Sequence, residues 1–76
     1  MDIDEDKIDD AVLALLWLTL HNERVAWKSF DWDAMDRLHE KGYISNPQSQ
    51  AKSVVFAEQG LEQAKRLLEA LFGKRT

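Results

Sequence analysis

The sequence predicts a mainly α-helical domain with one small antiparallel β-hairpin, in the order helix, helix, hairpin, helix. Three observations carry this. A run from Asp4 to about Leu20 is rich in apolar residues at helical spacing. A polar turn, Asn46 to Gln50 with Pro47 inside it, separates Tyr43-Ile44-Ser45 from the β-branched and aromatic stretch Lys52 to Phe56. A leucine stripe then repeats through Leu61, Leu67, Leu68 and Leu71. Seventy-six residues make one domain, residues 1–76, with no inter-domain linker or internal repeat. A chain this short buries only about 60% of its unfolded surface, so a monomer is marginal. It has no cysteine to staple it, which leaves an idealised core or oligomerisation as the usual compensation.

The first helix opens on acids, where the positive end of the helix dipole favours them, with Asp4 or Asp6 as cap. Ile8, Ala11, Val12, Leu15, Leu16 and Thr19 form its expected stripe. Leu13, Trp17, Leu18 and Leu20 fall off that stripe, so the helix is apolar almost all round from residue 11. His21 to Arg24 is a polar break, and Val25 to Phe30 reads as a short strand, an irregular loop or a short helix. Asp31-Trp32-Asp33 opens the second helix, on which Trp32, Met35, Leu38 and His39 share a face. Gly42 suits the left-handed position after its last turn. The hairpin follows, with a solvated tip. The last helix starts near Glu58, tolerates Gly60 close to its end, and stops at Gly73, with Lys74-Arg75 near the negative dipole end.

The run Leu38-His39-Glu40-Lys41-Gly42-Tyr43-Ile44, followed by a hairpin ending in Val55-Phe56-Ala57-Glu58-Gln59-Gly60 and a leucine-rich helix, resembles the C-terminal half of winged-helix domains. The match covers about half of the chain, and it implies a winged-helix-like fold with the hairpin as wing. Winged helices place two helices between the first helix and the wing; one clear helix stands there in this sequence. The whole chain also resembles a family of small bacterial proteins described as a domain of unknown function. The runs that carry this are Asp9-Asp10-Ala11-Val12-Leu13-Ala14-Leu15-Leu16-Trp17-Leu18-Thr19, Phe30-Asp31-Trp32-Asp33 and Arg37-Leu38-His39-Glu40-Lys41-Gly42. That family supplies no catalytic residues.

The apolar surplus of the first helix is the most informative feature. One small core has little room for it, and large side chains left in water each forfeit about 1.5–3 kcal/mol. A homodimer interface built from Leu13, Trp17, Leu18, Leu20, Leu68 and Phe72 is the expected use, and two-fold dimers are the commonest oligomers. The expected function is a small non-enzymatic protein-interaction module with a protein partner unspecified by the sequence. The alternative is a winged-helix-like DNA-binding regulator using Arg37, Lys41 and Lys52. Its would-be docking helix is net acidic, which opposes phosphate contact, so nucleic acid is not favoured.

Trp27, Phe30 and Trp32 beside Arg24 and Lys28 could stack on a base, but an aromatic lid over the core is the favoured reading. Asp36, His39 and Glu40 fall short of a convergent metal set, and no cofactor is expected. There is no nucleophile elbow, phosphate loop or His-Glu-x-x-His helix, so no enzyme is expected. The ten-residue apolar run Ala11 to Leu20 is half a bilayer core long, hence no membrane span. An acidic start and the lack of cysteine make the cytoplasm the expected compartment. The net charge is −4, but six acids against Lys7 alone between residues 2 and 10 give that stretch −5 and the remainder +1.

Overall fold

The computed structural model describes residues 1–74; Arg75, expected near the dipole end of the last helix, lies outside them. Helix α1 spans Glu5–Trp17, strand β1 Val25–Trp27, helix α2 Trp32–Glu40, strand β2 Ser53–Val55 and helix α3 Glu58–Phe72. The predicted order of helix, helix, hairpin and helix is present.

Asp4 caps α1 by accepting the backbone N–H of Lys7 at 3.2 Å. The helix stops at Trp17, three residues before the expected end. Its chain tightens there: the N–H groups of Leu18, Thr19 and Leu20 donate to the carbonyls of Leu15, Leu16 and Trp17. The Thr19 hydroxyl donates to Leu16 O and accepts the Trp27 N–H. A threonine hydroxyl that competes for backbone partners in this way favours a turn over another helical turn.

Residues 25–27 form a strand. β1 pairs antiparallel with β2 in the register Val25 to Val55, Ala26 to Val54 and Trp27 to Ser53. The hairpin read from the sequence is reduced to one bridge, Ile44 to Phe56. The Ser45 N–H donates to Val55 O, the Val55 N–H donates to Ser45 Oγ, and the Ala57 N–H donates to Tyr43 O. β2 therefore has β1 on one flank and residues 43–45 on the other. The free edge of β1 is closed as well, because Val25 O accepts from His21 and Trp27 N–H is taken by Thr19.

The hairpin tip is not simply solvated. Pro47 is fully buried. Gln48 donates to the Asp36 carboxylate at 3.0 and 3.2 Å, and Lys28 Nζ donates to Ser49 O at 2.7 Å. The tip is thus docked on α2 and on the residue after β1.

Asp31 caps α2 by accepting the Ala34 N–H. At the other end the Tyr43 N–H donates to Leu38 O and the Gly42 N–H to His39 O, the double bond set that closes a helix through a left-handed residue. Gly42 supplies that residue at φ +82°. Gly42→Ala should therefore cost about 1–2 kcal/mol, the left-handed penalty of a β-carbon; a urea midpoint equal to the parent's would contradict this.

The core gathers Val12, Leu13 and Leu16 of α1, Met35 and Leu38 of α2, Ala26 and Val54 of the sheet, Ile44, Phe56 and Ala64. α1 touches α2, α3 and β1, and α3 lies along it in the largest contact of the fold. Two expectations change. Leu13, assigned to the surplus, is core, whereas Ile8 is exposed and Leu15 only half-buried. A helix apolar on every side does not specify by hydrophobicity alone which face turns inward. Trp32 and His39 also leave the expected inner face of α2, which is Ala34, Met35 and Leu38.

Candidate functional site

What orients α1 is a carboxylate. Asp9 is completely buried on the core side of the helix. Two cations one turn apart on α2, Arg37 and Lys41, converge on it. Arg37 Nε lies 2.9 Å from both Asp9 oxygens and Arg37 Nη2 2.8 Å from Oδ1; Lys41 Nζ lies 3.0 Å from Oδ2. Glu5 and Asp6 sit one turn before Asp9 and complete the cluster, Glu5 on Arg37 at 3.0 Å and Asp6 on Lys41 at 3.3 Å. Burial pushes the Asp9 carboxyl upward, but the hydrogen bonds and charges of Arg37 and Lys41 outweigh it and hold the group below its ordinary value. The same bonds raise Arg37 and Lys41. All three are charged at neutral pH. The acids at the head of α1, read as dipole partners, are thus also half of an interhelical ion cluster. The i, i+4 spacing of Arg37 and Lys41 was a visible sign of it.

This placement bears on the residues named for DNA. Arg37 and Lys41 point into the Asp9 cluster, so a phosphate could engage them only by competing with a buried carboxylate. Lys52 belongs to the far end of the sheet, where its carbonyl accepts the Lys28 N–H. The three do not come together. Asp36 and His39 are engaged too, Asp36 by Gln48 and His39 Nδ1 with Ile44 O at 2.9 Å. Among the described residues no group of three or more metal-ligating side chains converges.

The residues named for a dimer divide. Leu13 is used by the chain's own core. Trp17 and Leu20 are half-buried and pack against that core. Leu68 is half-buried, Phe72 is 51% exposed and Leu18 is 66% exposed. Ile8, Ala11, Leu15 and Leu18 lie on one outward face of α1, and Leu68, Leu71 and Phe72 follow one another at the end of α3. Ile8, Leu15 and Leu71 were not singled out for this face, because the sequence does not show which side of α1 is outside.

The aromatic cluster also divides. Phe30 packs on the core as a lid would. Trp27 and Trp32 do not, being 46% and 55% exposed.

Fold and site together define a small three-helix domain with a two-stranded sheet, its first two helices locked by a buried carboxylate. The chain belongs to the family described as "Domain of unknown function (DUF6429)", whose profile matches residues 4–74. It is 62% identical over 72 residues to "Uncharacterized protein y4hR" of Sinorhizobium fredii (strain NBRC 101917 / NGR234), covering 95% of this chain and 97% of that protein. That relative is bacterial, as the sequence resemblance implied. No solved structure matches the chain. Among the described residues no helix is long and apolar enough to cross a membrane.

Proposed function

We propose that the domain is a non-enzymatic protein-interaction module that acts as a cytoplasmic homodimer. The observation that carries this is the exposed apolar side chains on two helices packed together, Ile8 and Leu18 from α1 and its end, Leu71 and Phe72 from α3, with Leu15 and Leu68 half-buried. Isolated exposed leucines need no explanation, but a run along two packed helices does. A second copy covers it most economically. A two-fold axis buries each residue twice, and each large side chain taken from water contributes up to about 1.5–3 kcal/mol. The polar groups best suited to chemistry support the non-enzymatic reading, since Asp9, Arg37, Lys41, Asp36 and His39 are held in bonds that join elements of the fold. A chain without cysteine is consistent with the cytoplasm.

Light scattering coupled to size exclusion tests the dimer. The parent should elute with the mass of two chains at micromolar concentration. Leu18→Glu combined with Phe72→Glu should elute as one chain with unchanged helical circular dichroism, because neither side chain is in the core. A parent of single-chain mass would sink the reading.

A further inference from the structure

The outer edge of β1 is occupied by the chain's own residues 19–21. The Phe56 N–H donates to Arg24 O and the Lys28 N–H to Lys52 O, so residues 24, 26 and 28 turn their backbone groups toward β2. Residues 25 and 27 turn theirs away, as alternation along an antiparallel strand requires. Val25 O accepts the His21 N–H at 3.1 Å, the Trp27 N–H donates to Thr19 Oγ1 at 3.1 Å, and Trp27 O accepts the Ser29 N–H at 3.0 Å. The His21 ring stacks on the Trp27 ring, with centroids 4.0 Å apart and planes 16° from parallel, and His21 Nδ1 lies 3.4 Å from Thr19 O.

The strand beneath is one that invites pairing. Val25-Ala26-Trp27 is β-branched, small and aromatic, with no charge and no proline. Native edges usually carry a charge, a proline or a bulge to discourage a second strand. The short length of β1 is one safeguard, and residues 19–21 supply the other. Neither Thr19 nor His21 belongs to the hydrophobic core. Thr19 instead ties the end of α1 to the strand, its hydroxyl donating to Leu16 O while it accepts the Trp27 N–H.

We infer that residues 19–21 are a guard strap that keeps β1 from pairing, edge to edge, with β1 of a second copy. With the strap in place an incoming strand meets a hydroxyl and an imidazole instead of free N–H and C=O groups. With it displaced, Val25 O and the Trp27 N–H face outward without partners. A second β1 laid antiparallel presents the same two groups. In the register that sets Val25 opposite Trp27, each Trp27 N–H reaches Val25 O of the other copy. This pairing uses no side chain of the proposed dimer face, so the two readings stand or fall separately.

Thr19→Val combined with His21→Pro tests it, because it removes the acceptor, the donor and the stacked ring together and leaves every core residue in place. Its mass by light scattering should at least double relative to the parent's as concentration rises from micromolar to millimolar, the range in which unpaired strand edges associate. Gly42→Ala, remote from the strap and also of lowered stability, should keep the parent's mass throughout. Thr19→Val combined with His21→Ala retains the backbone donor, and takes the place of the proline variant if circular dichroism shows that variant unfolded. Thr19→Val alone should speed hydrogen exchange at the Trp27 amide about fivefold, the worth of one hydrogen bond. The inference is overturned by a folded double variant that keeps the parent's mass, by equal association of Gly42→Ala, or by unchanged exchange at Trp27 in Thr19→Val.

Discussion

Asp9→Ala should destabilise the domain by about 3–5 kcal/mol, the usual cost of removing one partner from a buried ion pair. By the common per-residue scale a chain of this length has only about 4–11 kcal/mol in total. The variant should therefore be largely unfolded, or unfold at a small fraction of the parent's urea midpoint. The reason is specific. Asp9 is fully buried and takes charged hydrogen bonds from both Arg37 and Lys41 of the facing helix, so its loss removes those bonds together and leaves the two cations only their exposed partners Glu5 and Asp6. Asp9→Asn keeps the shape but not the charge, and should fall between the two.

The same carboxylate predicts a pH dependence with a definite sign. Its folded value lies below its unfolded one. The unfolded state thus binds the proton more readily, and the contribution of Asp9 is fully present above the ordinary aspartate value of about 3.9. It is lost as pH falls through the folded value. Urea midpoints should decline in acid below about pH 4 in the parent, and the Asp9→Asn variant should lack that share of the decline. Equal acid slopes in the two proteins would mean that Asp9 does not ionise in the fold.

Legibility from sequence followed the range of the interactions. Caps, stops and stripes are local, and Asp4, Asp31, Gly42 and Gly73 sit at the helix ends where side-chain and backbone chemistry put them. The orientation of α1 was not local. Its hydrophobicity allows several faces to turn inward, and the choice rests on Asp9 finding Arg37 and Lys41 twenty-eight and thirty-two residues away. Leu13 and Ile8 consequently exchanged roles. The outer strand was ambiguous for a related reason. Val25-Ala26-Trp27 is three residues long, and it is a strand only because Val54 and Ala26 share the core while Thr19 and His21 close its edge. The candidate sites show the same limit. Composition disclosed that cations exist, but only the structure shows that Arg37 and Lys41 are neutralised by Asp9, Glu5 and Asp6.

Gly60→Ala should destabilise the domain although helix propensity favours it by about 0.8–1 kcal/mol. Read in isolation, a glycine at the third position of α3 is a tolerated imperfection. In the structure it is a point of contact between backbones. A β-carbon at Gly60 would lie 2.0 Å from Tyr43 O, 2.7 Å from Tyr43 C and 2.8 Å from Tyr43 Cα. No rotamer relieves that clash, because every opposing atom is main chain. Nor is Tyr43 free to retreat. Its carbonyl accepts the Ala57 N–H at 2.9 Å, its own N–H closes α2 on Leu38, and the next residue bridges Phe56. Moving it would disturb the end of α2, the bridge and the start of α3 together. The cost should lie at or beyond the top of the about 1–3 kcal/mol typical of overpacking. Glu62→Ala, two positions on and exposed, supplies the comparison; its urea midpoint should stay near the parent's while that of Gly60→Ala falls well below it. A Gly60→Ala midpoint at or above the parent's would mean that α3 can slide away from Tyr43 at no cost, and that the close approach is not part of what fixes the last helix.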